Sequence, residues 1–173
     1  EVEVTEQSVF GMQFNYKKQV YRTTLSGIHQ VQNMTTVIEA VNVLIEKGFN
    51  ITTENIKAGI SKTILPARVE VISKKPLVIL DGGHNEDGAK AFYDAVKECF
   101  DSNKKLFVIA GMMNDKEVEN SLKPLISKAG TFIAVTPENP RAMKAEKLGE
   151  IAKKYCHNVI VCDNANFAVD TVK

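Results

Sequence analysis

The sequence predicts an α/β protein in which a mostly parallel open sheet follows a smaller amino-terminal segment. Beyond residue 68, short apolar runs alternate with amphipathic stretches, the pattern of parallel strands covered by helices on both faces. The predicted strands are residues 69–73, 77–80, 106–110, 131–135 and 158–162. The predicted helices are about residues 86–100, 115–128, 143–155 and 164–172.

The amino-terminal segment predicts a β-hairpin followed by two helices. Residues 8–14 and 19–25 are rich in β-branched and aromatic residues, with turn-like material between them. A helix is predicted over residues 33–47 because apolar residues recur there at the spacing of one helix face. The residues of this face are Val37, Ala40, Val41, Leu44 and Ile45. The second helix is predicted to begin at Thr52 or Thr53.

A break between the two parts is predicted at residues 63–67. Pro66 has a fixed φ and disfavours helical backbone at Leu65, which suits a hinge linker. We therefore expect one domain to end near residue 62, so that residues 1–62 form one part and residues 68–173 form the other.

Composition narrows the classes of partner. The formal net charge is +1, so bulk charge predicts neither a nucleic-acid nor a membrane partner. No apolar run approaches the roughly 20 residues that a membrane crossing needs. The three cysteines and three histidines are scattered, which predicts reduced thiols, as in the cytosol, and no zinc or other histidine-based metal site.

The strongest local signal is the run LDGGHN, which joins a predicted strand to a predicted helix. In open α/β sheets, ligands bind at the carboxyl ends of the strands. Asp81 at the strand tip can accept hydrogen bonds from ribose hydroxyls, and His84 would stand within reach of a phosphate group. A plain strand-to-helix turn capped by Asn85 is the competing interpretation.

Polar residues also follow the next two strands of the predicted sheet. Asn114 and Lys116 follow one strand, and Arg141 follows the other in a loop stiffened by two prolines. We expect Asp81, Asn114 and Arg141 to gather at one edge of one sheet, where an arginine suits an amino-acid carboxylate. Lys116 could face either a ligand phosphate or solvent. Arg141 could be an ordinary exposed loop residue.

Three residues outside these strand-end loops are further candidates. The amide of Asn33 offers a donor and an acceptor, which suits the edge of adenine, although an ordinary helix N-cap explains it better on spacing alone. Arg68 could clamp phosphates bidentately or could be a solvated surface arginine. His29 is better explained as a packed or capping histidine than as a catalyst.

Taken in order, these segments resemble the Mur ligase superfamily, and within it the folylpolyglutamate synthase / dihydrofolate synthase family. GIHQVQN resembles that family's G-x-H-Q-x-x-N segment, and PARVEVI resembles its P-G-R-x-E-V-I linker, with Ala67 where glycine is usual. LDGGHNEDGA resembles L-D-G-A-H-N-P-x-G-A, with Gly83 in place of alanine and Glu86 in place of proline. GMMNDKE and TPENPRA resemble G-x-x-x-D-K-D and T-x-x-x-P-R-A.

The resemblance implies that residues 68–173 form the Rossmann-like Mur ligase carboxyl-terminal domain, preceded in residues 1–62 by the tail of the central ATPase domain. It also implies an ATP-dependent ligase that phosphorylates a carboxylate of folate or dihydropteroate. The amine of L-glutamate then attacks the acyl phosphate to give an amide, ADP and phosphate. ATP and Mg²⁺ are the implied cofactors, the implied partners are these small molecules, and the implied state is a cytoplasmic monomer.

The resemblance also assigns roles residue by residue. Asn33 would contact adenine, Asp81 the ribose, and Arg68 the ATP phosphates, with His84 close to those phosphates. Arg68 and His84 are the implied catalytic residues. The weaker matches, for substrate binding, are Arg141 and Lys116.

The chain departs from the family in one important respect. Its 173 residues contain no GxxxxGK[ST] phosphate loop, and the family's magnesium ligands lie upstream of the matched segments. We therefore expect no ATP turnover by this chain alone, and we expect Mg²⁺ to be held by residues outside it.

Two other functions stay open at this point. One is a different Mur-type ligase that adds an amino acid to a peptidoglycan precursor. The other is a non-enzymatic α/β binding module, such as a phospho-receiver domain. The HQ pair before Asn33 and the spacing from Arg68 to Asp81 favour the folate branch, and Asp81 lacks the acidic partner that a receiver needs. The sequence leaves open whether the ligase extends glutamate chains, forms dihydrofolate, or does both.

Overall fold

A computed structural model describes residues 1–83, 86–100, 104–114 and 118–172. The chain divides into two compact units. The first comprises Glu1–Gly82 with Asp94–Glu98, and the second comprises Gly83–Tyr93 with Cys99–Lys173. The first unit contains antiparallel strands and the second a parallel sheet, so the predicted α/β class is confirmed. The domain boundary predicted at residues 63–67 stays a prediction.

The first unit begins with a three-stranded antiparallel sheet in the order β1 (Val2–Ser8), β2 (Gly11–Tyr16) and β3 (Gln19–Thr23). The predicted hairpin is confirmed, because β2 and β3 pair antiparallel. Its first strand begins at Gly11 and not at residue 8, because the chain turns at residues 9 and 10. The hydroxyl of Ser8 accepts a hydrogen bond from the backbone N–H of Phe10 at 3.2 Å. Gly11 follows at φ 138°, a conformation that favours glycine.

Two helices follow, α1 (Ile28–Glu46) and α2 (Thr53–Lys62). α1 begins five residues before the predicted start, immediately after Gly27 at φ 99°. The start predicted for α2 is confirmed: the Thr52 hydroxyl accepts from the Asn55 N–H, and the Asn55 side chain accepts from the Thr52 N–H.

The face of α1 that packs on the sheet differs from the predicted one. Val31, Met34 and Ile38 are buried against a core that includes stacked Phe14 and Tyr21, whose ring centroids lie 5.4 Å apart. Within the predicted face, Val41 packs partly against this core, whereas Val37, Ala40, Leu44 and Ile45 are exposed. α1 is apolar on two sides, and periodicity alone does not indicate which side meets a sheet.

The first unit ends with β4 (Glu70–Lys74) and β5 (Leu77–Leu80), which pair antiparallel with each other. The prediction that both belong to the parallel sheet was wrong. Only residues 75 and 76 separate the two strands, whereas a parallel crossover requires a dozen residues or more. A two-residue connection is compatible only with a hairpin.

The second unit carries a three-stranded parallel sheet in the order β6 (Phe107–Ala110), β7 (Thr131–Val135) and β8 (Val159–Cys162). Every residue of the central strand β7 is buried, as its unbroken apolar run predicted. The helices along this part of the chain are α3 (Glu86–Val96), a short 3-10 helix (Lys97–Cys99), α4 (Val118–Ile126), α5 (Ala145–Lys153) and α6 (Ala165–Val172).

Close packing fixes α5 on this sheet. A Cβ on Gly149 would lie 2.9 Å from Cγ2 of Val161 in β8, so the helix approaches the strand at a distance that only glycine permits. No helix in the described ranges is long and apolar enough to cross a membrane.

Candidate functional site

The first unit brings together three residues that the sequence singled out: His29, Arg68 and Asp81. His29 is half-buried in the first turn of α1. Burial lowers the pKa of its imidazole below the ordinary 6.5, the negative charge of Asp81 opposes that shift, and the positive charge of Arg68 adds to it. Residues from distant parts of the sequence therefore share one electrostatic environment, with His29 held neutral near pH 7.

Asp81 anchors the segment that carries Arg68. Its Oδ2 accepts a hydrogen bond from the backbone N–H of Val69 at 3.0 Å. The Gly82 N–H donates to the carbonyl of Ala67 at 2.7 Å. These bonds tie the end of β5 to the segment before β4 and hold the backbone on both sides of the exposed Arg68.

The backbone of this segment is strained on either side of Arg68. Ala67 has φ 52° and Val69 has φ 50°, in the left-handed region that alanine and especially β-branched valine disfavour. The carboxylate of Glu70 accepts a hydrogen bond from the Ala67 N–H at 2.8 Å and stabilises the turn. Strain of this kind persists where surrounding bonds over-determine the conformation, and it often marks a functional segment.

Asn33 lies in the second turn of α1 and not at its amino terminus. The N-cap interpretation was therefore wrong, because α1 begins earlier than the spacing predicted. The Asn33 side chain is exposed, and its Nδ2 donates to Oε1 of Gln30 at 3.2 Å. Nε2 of Gln30 in turn lies 3.1 Å from Nε2 of His29.

Gln30 is a residue that the sequence analysis missed. It is 4% exposed, and in α1 it stands between the half-buried His29 and the exposed Asn33. A signal was present, because Gln30 is the Q of the G-x-H-Q-x-x-N pattern that the chain resembles and lies three residues before Asn33. A buried polar side chain at that spacing is expected to find a partner one helical turn away.

A second group of polar residues lies at the carboxyl ends of β6 and β7 in the second unit. The Asn114 N–H donates to the Arg141 carbonyl at 2.8 Å, and the Arg141 N–H donates to Oδ1 of Asn139 at 2.9 Å. Nζ of Lys147 donates to Oδ1 of Asn114 at 2.9 Å. Two exposed cations, Arg141 and Lys147, thus flank one loop pair and suit an anionic ligand.

Small residues allow these two loops to meet. A Cβ on Gly111 would lie 2.8 Å from Cγ of Pro137, so glycine is required where the loops cross. The Met143 N–H donates to the Met112 carbonyl at 2.8 Å and completes the pairing. Lys147 was missed by the sequence analysis because it belongs to α5 and carries no strand-end signal.

The prediction that Asp81, Asn114 and Arg141 end strands of one sheet was wrong. In the described part of the chain, Asp81 follows β5 in a separate two-stranded sheet, whereas the loops of Asn114 and Arg141 follow β6 and β7. The structure therefore presents two polar groups, one in each unit.

Several predicted residues lie outside the described ranges. They are His84, Asn85, Asp115 and Lys116. Within the described residues, no three His, Cys, Asp or Glu side chains are placed to hold a metal ion.

Comparisons with known proteins point to one family. Residues 67–173 match the family model described as Mur ligase, glutamate ligase domain. The chain is 32% identical over 153 residues to a dihydrofolate synthase/folylpolyglutamate synthase from Bacillus subtilis, covering 83% of this chain and 35% of that protein. It is 32% identical over 141 residues to a folylpolyglutamate synthase from Lacticaseibacillus casei, covering 78% of this chain and 32% of that protein.

Solved structures agree with this fold. A structure of E. coli FolC in complex with DHPP and ADP superposes with a TM-score of 0.77 at 26% identity, covering 99% of this chain and 39% of that one. A Mycobacterium tuberculosis folylpolyglutamate synthase complexed with ADP superposes with a TM-score of 0.81 at 25% identity, covering 99% of this chain and 40% of that one. The chain thus spans about a third of the length of these relatives and about two fifths of these structures.

Proposed function

Because this chain belongs to the Mur ligase family, with a match to the glutamate ligase domain over residues 67–173, we propose that it acts as the carboxyl-terminal part of an ATP-dependent ligase that joins L-glutamate to a folate carboxylate. The observation that carries the proposal is 32% identity over 153 residues to a relative whose name gives both dihydrofolate synthase and folylpolyglutamate synthase activity. The polar residues around His29, namely Asn33, Arg68 and Asp81, carry side chains suited to binding a nucleotide and support the proposal.

We propose that this polar group holds the adenosine part of ATP. The exposed amide of Asn33 would contact adenine, and the carboxylate of Asp81 would accept hydrogen bonds from the ribose hydroxyls. Arg68 would contact the phosphates, because an exposed guanidinium can bind phosphate oxygens bidentately. His84 retains the position close to the phosphates that the resemblance implies, and Lys116 retains its substrate-binding role, both as predictions.

We assign the anionic end of L-glutamate to the second polar group. Arg141 and Lys147 are both exposed at the carboxyl ends of parallel strands, where ligands of open α/β sheets bind. Asn114, whose Oδ1 accepts from Lys147, would orient that lysine toward a carboxylate. Lys116, the other substrate-binding candidate, lies outside the described residues.

The chemistry that this assignment serves has two steps. A folate carboxylate oxygen attacks the γ-phosphorus of ATP, and ADP leaves. The glutamate amine then attacks the acyl carbon, and phosphate leaves as the amide bond forms. Residues of this chain would bind and align the nucleotide and the incoming amine, and Arg68 would offset negative charge on the phosphates. Within the described residues no three His, Cys, Asp or Glu side chains are placed to hold a metal ion, and we assign no step of this chain to Mg²⁺.

A chimera tests the proposal. The matched segment of the Bacillus subtilis relative is replaced by this chain, and ADP formation is measured with L-glutamate and three acceptors in turn: dihydropteroate, a folate, and a peptidoglycan precursor. We expect glutamate-dependent ADP formation with a pteridine acceptor only. Activity with the peptidoglycan precursor alone would favour the other Mur-type ligase, and a folded but inactive chimera would contradict the ligase assignment.

Two variants of the chimera separate binding from folding. Arg68→Ala should lower the rate of ADP formation by about 100-fold or more if Arg68 contacts the transferring phosphates. Arg22→Ala, at an exposed arginine in β3 whose Nε donates to Gln13, is the matched control and should leave the rate unchanged. Equal rates for the two variants would remove Arg68 from the site.

A further inference from the structure

Three side chains in the first two turns of α1 form a continuous hydrogen-bonded relay. Nε2 of His29 lies 3.1 Å from Nε2 of Gln30, and Oε1 of Gln30 accepts from Nδ2 of Asn33 at 3.2 Å. Gln30 is 4% exposed, whereas Asn33 is exposed. A buried carboxamide therefore connects a half-buried imidazole to the side chain that faces solvent.

The chemistry of the carboxamide fixes the direction of the relay. The nitrogen of Gln30 can only donate, so Nε2 of His29 must offer a lone pair. The oxygen of Gln30 can only accept, so Asn33 must present its N–H to it. The relay is therefore self-consistent when His29 is neutral with its proton on Nδ1.

Gly27 supports the position of the ring. A Cβ at residue 27 would lie 2.6 Å from Cε1 of His29 and 2.9 Å from Nδ1, so the imidazole packs directly on the glycine backbone. Gly27 also has φ 99°, which favours glycine for a second reason. The contact restricts the imidazole and keeps its Nε2 aimed at Gln30.

The relay determines what Asn33 can present to a ligand. One N–H is committed to Gln30, which leaves Oδ1 and the second N–H available in a fixed order. Adenine offers a donor at N6 beside an acceptor ring nitrogen, which matches an amide oxygen beside an amide N–H. Guanine offers the acceptor O6 where adenine has its donor, so the same amide orientation places two oxygens together.

We propose that Gln30 and His29 are positioning residues that hold the Asn33 amide in one orientation and thereby select adenine over guanine nucleotides. This inference rests on the proposed nucleotide site. Loss of the relay frees the amide to rotate, so that either base finds a compatible orientation. A protonated His29 would reverse the relay, because its Nε2–H would demand the oxygen of Gln30 and, in turn, the oxygen of Asn33.

The charged groups that act on His29 are consistent with the neutral form. Burial disfavours the imidazolium, the carboxylate of Asp81 favours it, and the guanidinium of Arg68 disfavours it. Burial is the largest of the three effects, and so the pKa of His29 is lowered.

The first test determines which imidazole nitrogen of His29 carries the proton, and it needs no nucleotide. A long-range ¹H–¹⁵N spectrum of the imidazole at neutral pH distinguishes a protonated nitrogen from a bare one. We expect His29 to carry its proton on Nδ1 with Nε2 bare. A proton on Nε2 would overturn the relay.

The second test measures the preference of this chain for ATP over GTP. Each nucleotide is titrated while the NMR signal of the Asn33 side-chain amide is followed. Gln30→Leu should reduce the preference for ATP over GTP by about tenfold. Gln32→Leu, the same substitution at an exposed glutamine two residues away, should leave the preference at the wild-type value. An unchanged preference in folded Gln30→Leu would overturn the proposal.

A further variant covers the case in which Gln30→Leu fails to fold. His29→Phe keeps a ring on Gly27 but removes the lone pair that Gln30 requires. Like Gln30→Leu, it should reduce the preference for ATP over GTP. If ATP causes no shift at Asn33 in the wild-type chain, the proposed nucleotide site fails and base selection fails with it. The imidazole spectrum decides the relay separately in that case.

Discussion

The carboxylate of Asp81 and the backbone of Val69 are joined by a hydrogen bond of 3.0 Å between Oδ2 and the Val69 N–H. Val69 is buried and held at φ 50°, an unfavourable conformation for a β-branched residue. The bond ties the end of β5 to the segment that precedes β4. Asp81 therefore has a structural role beside the ribose contact that we propose for it.

Removing this acceptor should destabilise the first unit. We expect Asp81→Ala to lower the free energy of unfolding by about 1–3 kcal/mol, because the Val69 N–H loses its partner. Asp81→Asn keeps an acceptor oxygen and should recover most of the loss. Urea unfolding followed through backbone amide signals of residues 1–82 measures both. Wild-type stability of Asp81→Ala would show that the bond contributes nothing.

The strain at Ala67 gives a substitution that should stabilise the chain. Ala67 has φ 52°, and the family that the sequence resembles usually has glycine there. We expect Ala67→Gly to raise the free energy of unfolding by about 1 kcal/mol, since glycine adopts this conformation without a Cβ clash. Ala40→Gly, at an exposed position in α1, should instead lower it by about 1 kcal/mol. Loss of stability in both variants would contradict the strain at Ala67.

The two apolar sides of α1 can be distinguished by matched truncations. Ile38 is 2% exposed in the core of the first unit, whereas Leu44 is 39% exposed. Ile38→Ala should cost about 2–5 kcal/mol of stability through lost burial and a cavity. Leu44→Ala should change the free energy of unfolding by less than about 0.5 kcal/mol in this chain. Thermal and urea unfolding of the two variants check the assignment, and the reverse order of losses would refute it.

His29 should make stability depend on pH. Its pKa is lowered in the folded chain, so the unfolded chain binds more protons between the folded pKa and the ordinary value of 6.5. Stability is therefore unaffected by this residue above about pH 6.5 and falls as the pH drops below it. Asp81 limits the fall and Arg68 increases it.

The variant His29→Gln isolates this contribution. As the pH falls below about 6.5, the stability of the wild-type chain should decrease more steeply than that of the variant. Urea midpoints at several pH values within this window provide the comparison. Parallel curves for the two proteins would show that His29 titrates with the same pKa in both states.

The strands of the second unit were predictable because burial on both faces leaves an unbroken apolar run. β7 over Thr131–Val135 is such a run, and its bounds equal the predicted ones. β4 and β5 have similar local composition, but their partners depend on the length of the connection between them. The two-residue link was visible in the sequence, and it excludes a parallel pairing.

The members of the candidate site stay predictions, and the sequence did not indicate their arrangement. Asn33, Arg68 and Asp81 were identified from residue chemistry and resemblance, and the structure places Arg68 and Asp81 together around His29. Gln30 was missed because the G-x-H-Q-x-x-N segment contains it without indicating that its side chain is buried. Its role depends on which residues lie one turn away and on the side chains they present, and these are properties of the folded helix.

A crystal structure of this chain with ADP tests the central claim most directly. The account predicts adenine against the Asn33 amide, with its N6 facing Oδ1, the ribose hydroxyls at Asp81, and the phosphates at Arg68. ADP bound instead at the carboxyl ends of β6 and β7, beside Arg141 and Lys147, would contradict the assignment of the two polar groups. Crystals grown with ADP that leave both Asn33 and Asp81 without nucleotide would contradict the claim that this chain carries the adenosine contacts.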